Sequence, residues 1–81
     1  MVAPALEFEM LVEMKKYMTE MNKEHITEIN GLVLIRRQYK KVGRISEVET
    51  TQKRIDQLKR LTNAAGNFIQ FLEDYLKRLK E

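Results

Sequence analysis

The 81-residue chain contains no cysteine and no tryptophan, one proline and three glycines. Without cysteine there is neither a disulfide framework nor a thiolate zinc site, which suits a reducing compartment. The longest uninterrupted apolar run, Leu32-Val33-Leu34-Ile35, is far shorter than the roughly 20 residues a membrane span requires. Met1-Val2-Ala3-Pro4 lacks the charged and apolar regions of a signal peptide. A cytoplasmic or otherwise intracellular protein with no membrane partner is therefore expected. No linker or low-complexity tract divides the chain, so residues 1–81 read as one domain.

The vocabulary of catalysis is also thin. There is one histidine, no Ser/His/Asp or Cys/His set, and no glycine loop able to cradle phosphate. The sequence implies a non-catalytic protein without a cofactor or resident metal.

What the chain does have is helical spacing. From Leu11 apolar residues recur at alternating intervals of three and four: Leu11, Met14, Met18, Met21, His25, Glu28, Leu32, Ile35, Tyr39 and Val42. The same pattern returns as Val48, Thr51, Ile55, Leu58, Thr62, Ala65, Ile69, Leu72, Leu76 and Leu79. Between them, Lys40 and Lys41 complement the negative end of a helix dipole, and Gly43 can take the left-handed conformation that closes a helix. Ser46 followed by Glu49 reads as a capping box opening the next helix. The fold class implied is all-α: an antiparallel helical hairpin with helix one over about 5–42, a turn at 43–46 and helix two over about 47–80. Two sites offer alternatives. Asn30-Gly31 between β-branched and aliphatic runs is a hairpin-turn signal, and Gly66 followed by Asn67 could divide helix two. Unbroken phase across both favours continuous helices, since a glycine inside a helix costs only about 1 kcal/mol.

Folding the two patterns about Val42 and Val48 places Ile35 level with Ile55, Leu32 with Leu58 and Arg36 with Arg54. It also gathers His25, Glu28 and Thr62 into a polar layer halfway along, where a His25–Glu28 hydrogen bond would fix the register. Met10, Met14, Met18 and Met21 read as core at this spacing.

Beyond the seam lie further apolar residues: Ile26, Ile29 and Val33 on helix one, and Leu61, Ala64, Phe68, Phe71 and Tyr75 on helix two. Two helices cannot bury stripes this wide against each other, so these strips are the expected partner interface. A homodimer forming a four-helix bundle is the simplest solution.

Charge is unevenly distributed. Residues 1–35 carry a net −3, residues 36–60 a net +6, and residues 61–81 balance. The basic segment supplies Arg36, Arg37, Lys40, Lys41, Arg44, Lys53, Arg54, Lys59 and Arg60 near the turn. Such a cluster either solvates the surface or meets an acidic protein surface or nucleic-acid phosphates. Two functions follow as expectations: a self-associating assembly or adaptor module, or a small nucleic-acid-binding regulator working through the basic end.

Overall fold

The computed structural model describes residues 3–80, with side chains from Leu6 onward. It is an antiparallel hairpin of two long helices, α1 (Ala3–Lys41) and α2 (Ile45–Lys80). Both helices run unbroken through Gly31 and Gly66, as their continuous apolar phase implies. The molecule is 64 Å long and 14 Å across, which accommodates two helices and no third layer.

Gly43 closes α1 with a φ of 73°, which a Cβ would penalise. The Arg44 amide donates to the Tyr39 carbonyl at 3.0 Å and the Gly43 amide to that of Lys40 at 3.3 Å. These two bonds make a Schellman closure. The next helix begins earlier than the capping-box reading requires. The Val48 amide donates to the Arg44 carbonyl at 3.1 Å, so Arg44 stands at the cap position and Ser46 is already inside the first turn. The Ser46 carbonyl accepts the Thr50 hydroxyl. Three residues, 42–44, thus separate the helices.

This tighter turn changes the register. Arg36 donates to Gln52 rather than standing level with Arg54, and Lys15 Nζ lies 3.3 Å from Glu73 Oε1. Each partner is two residues nearer the turn than symmetric folding about Val42 and Val48 predicts. Val42 itself is 68% exposed.

The α2 stripe packs as its spacing predicts. Ile55 and Leu58 are fully buried, with Thr51, Leu72 and Leu76 also buried; of that stripe only Leu79 is exposed. The α1 stripe does not. Leu11, Met18, His25, Leu32 and Tyr39 are half-buried in the seam, but Met14, Met21, Glu28, Ile35 and Val42 are exposed. Lys15, Asn22, Ile29 and Arg36, each one residue later, take the inward positions. The seam keeps its heptad and rotates about half a residue. Lys15 and Arg36 can occupy it because their stems cover apolar surface while their charged heads reach Glu73 and Gln52 at the edge.

Candidate interaction face

The rotation sorts the side chains onto two long faces. On one, Phe8, Val12 and Lys15 line a cleft with Glu73, Leu76 and Lys80, and the Lys80 ammonium sits 5.9 Å from the Phe8 ring centre. Arg36, Lys40, Val48 and Gln52 continue the same side near the turn. On the opposite face Met18, Met21 and His25 border a groove of about 300 Å³ with Leu61, Ala64 and Ala65. Glu7 accepts the Tyr75 hydroxyl on that side, and Glu28 pairs with Arg54 at 3.2 Å.

The sequence-derived strips divide between these faces. Ile26 and Val33 lie whole heptads from Val12 and Lys40, so they share the face of those residues. Ile26 is exposed, Val33 half-buried, and Ile29 enters the seam. Leu61, Ala64, Phe68, Phe71 and Tyr75 fall on the other face. There the rings of Phe68, Phe71 and Tyr75 form a ladder with centroids 6.2 and 6.4 Å apart. The two strips therefore do not form one surface.

A different pair does. Met10, Met14, Tyr17 and Met21 recur at intervals of four, three and four along α1, on the flank that meets Leu61 and Ala64. Met10 is 64%, Tyr17 66% and Phe71 61% exposed. Together the methionine row and the aromatic ladder give the terminal half of the hairpin one broad apolar face. Heptad spacing alone assigned the methionines to the core. The signal for the surface reading was Met10 and Tyr17, which fit the stripe through Met14 and Met21 but not the stripe through Leu11 and Met18.

The polar layer forms only in part. His25 and Thr62 are half-buried, whereas Glu28 is exposed and holds Arg54 instead of His25. The Thr62 hydroxyl donates to the Lys59 carbonyl in its own helix. One turn away, Asn22 Oδ1 is buried without a hydrogen-bond donor. The middle of the seam is consequently thin: Asn22 and His25 on α1 meet a stretch of α2 containing Ala64, Ala65 and Gly66.

The basic cluster is also partly committed. Arg36 is held by Gln52 and Arg54 by Glu28, Arg44 lies 3.6 Å from Glu47, and Arg60 donates to the Asp56 carbonyl. Arg37, Lys40, Lys41, Lys53 and Lys59 are exposed and make no ion pair among the described residues. No helix among the described residues is long and apolar enough to cross a membrane. Comparison with protein families, curated proteins and solved structures finds no match.

Proposed function

We propose that this hairpin is a non-catalytic assembly module that self-associates through its apolar surface. The observation that carries the reading is the broad exposed face formed by Met10, Met14, Tyr17 and Met21 with Leu61, Phe68 and Phe71. Single exposed apolar residues are ordinary on protein surfaces, but a contiguous patch is the mark of an interface. Size supports the same conclusion. The chain exposes 6544 Å². A compact monomer of 9.7 kDa would expose about 5100 Å² by the usual surface scaling. The excess is larger than the ~800 Å² that a standard interface takes from each partner.

Light scattering coupled to size exclusion tests the reading. The native chain should elute with the mass of a dimer, and the double substitution Leu61→Glu with Phe68→Glu should give a helical monomer. An unchanged mass in the double variant would remove these residues from the interface.

A second reading rests on the five exposed cations Arg37, Lys40, Lys41, Lys53 and Lys59 near the turn. They form a candidate contact for nucleic-acid phosphates or an acidic protein surface. Phosphate binding would weaken steeply with added salt, whereas apolar assembly would not.

A further inference from the structure

We infer that the occupant of the apolar face is a second copy of this chain, placed with its turn at the same end as the first. The inference rests on the self-association reading and adds the geometry. Two hairpins packed face to face by a two-fold axis have two choices. If the axis runs along the hairpin, each α1 lies over the other copy's α2 and both turns share an end. If it runs across the hairpin, α1 lies over α1, α2 over α2, and the turns point apart.

Charge separates the two. The α1 edge of the face is acidic, through Glu7, Glu13, Glu20, Glu24 and Glu28. The α2 edge is net basic, carrying Lys53, Arg54, Arg60 and Arg78 against Asp74. Heights on this face follow from its own contacts: Glu7 beside Tyr75, Glu28 beside Arg54, and Met21 beside Leu61. Extending that register puts Met14 level with Phe68, Met10 with Phe71, and Glu24 within two residues of Arg60. In the same-end dimer, Glu24 and Glu28 then approach the second copy's Arg54 and Arg60. In the opposite-end dimer, with the apolar patch centred on itself, Glu24 approaches Glu7 and Arg78 approaches Arg54. Like charges across an interface are strongly disfavoured, whereas complementary edges fix orientation.

The apolar rows agree with the charges. The same-end arrangement lays Met10 and Met14 on the second copy's Phe71 and Phe68, joining thioethers to aromatic rings. The opposite-end arrangement instead lays Met10 on Met21 and Leu61 on Phe71. The α1 stripe read from sequence also finds its place. Leu11, Met14, Met18 and Met21 point between α2 of the same chain and α2 of the second copy, toward the centre of a four-helix bundle.

The chain has no cysteine, so one engineered thiol labels one site. Arg44→Cys at the exposed turn, carrying a nitroxide, allows the distance between the two turns to be measured by pulsed dipolar spectroscopy. Light scattering on the same sample gives the mass. A dimer with label separations within about 30 Å, the width of a bundle of helices each 10–12 Å in diameter, is the expected result. A dimer with turns about 70 Å apart, from 1.5 Å per residue along opposed hairpins, would overturn the same-end arrangement while leaving self-association standing. A monomeric mass would overturn both.

Discussion

The two halves of this hairpin divide their apolar residues differently between seam and surface. Near the turn, Thr51, Ile55 and Leu58 are buried between the helices, and the exposed Leu34, Ile35, Val42 and Ile45 stand among charged and polar side chains. Toward the termini Leu72 and Leu76 close the seam, yet more apolar side chain points outward than inward: Met10, Met14, Tyr17, Leu61, Phe68 and Phe71 are all exposed. Between them lies the thin layer of Asn22 and His25 against Ala65 and Gly66. The turn half holds the two fully buried side chains of the seam, and the terminal half more of the exposed apolar surface. One pair of helices can do both because a heptad seam uses only two of seven positions, leaving the flanks available for a second surface.

The sharpest way to break that contrast is to truncate one residue from each half. Leu58→Ala removes a fully buried side chain and should cost about 2–5 kcal/mol in urea unfolding. Phe71→Ala removes a larger but mostly exposed ring and should change the stability of the isolated hairpin by no more than about 0.5 kcal/mol. Its effect should appear instead as a weaker dimer in dilution experiments. Similar losses for both variants at concentrations where the chain is monomeric would erase the distinction between the halves.

The thin layer gives the next largest effect, with the opposite sign. Asn22 Oδ1 is desolvated without a donor, a state that typically costs about 1–3 kcal/mol. Asn22→Leu should therefore stabilise the hairpin and raise the melting temperature. It should also loosen the register, because a polar seam residue tolerates fewer alternative alignments than an apolar one. Loss of stability on this substitution would show that Asn22 Oδ1 has a hydrogen-bond donor in solution.

The reach of sequence reasoning differs between the helices for a physical reason. The seam stripe of α2 has strong contrast, with Ile55, Leu58, Leu72 and Leu76 flanked by Arg54, Lys59, Glu73 and Lys77, and it packs as read. α1 offers two overlapping stripes that share Leu11, Met18, His25, Leu32 and Tyr39. The companions Met14, Met21 and Ile35 are the more apolar set, yet Lys15, Asn22 and Arg36 lie inward. Hydrophobicity ranked the stripes incorrectly for the hairpin, because no single-chain pattern says how many helices will surround α1. The same limit applies to the interface strips. Leu61, Phe68 and Tyr75 could be identified as outside the α2 seam, but pairing them with Ile26 and Val33 required knowing which flank faces which.

The turn offers the finest test, because it separates a correct reading from a corrected one within a few residues. Gly43 holds a left-handed conformation that costs an L-residue about 1–2 kcal/mol, so Gly43→Ala should lower stability by that amount even though the space around it is open. Ser46→Ala examines the cap. A true N-cap serine loses about 1 kcal/mol when replaced by alanine. Here the cap position belongs to Arg44, and Ser46 sits in the first turn of α2 with its carbonyl, not its hydroxyl, engaged by Thr50. Alanine is the better helix former at such a position, so Ser46→Ala should leave thermal stability unchanged or raise it slightly. A loss near that of a missing cap would instead mean that α2 begins at Ser46 in solution, restoring the Ser46–Glu49 capping box and with it the longer turn and the register level at Val42 and Val48.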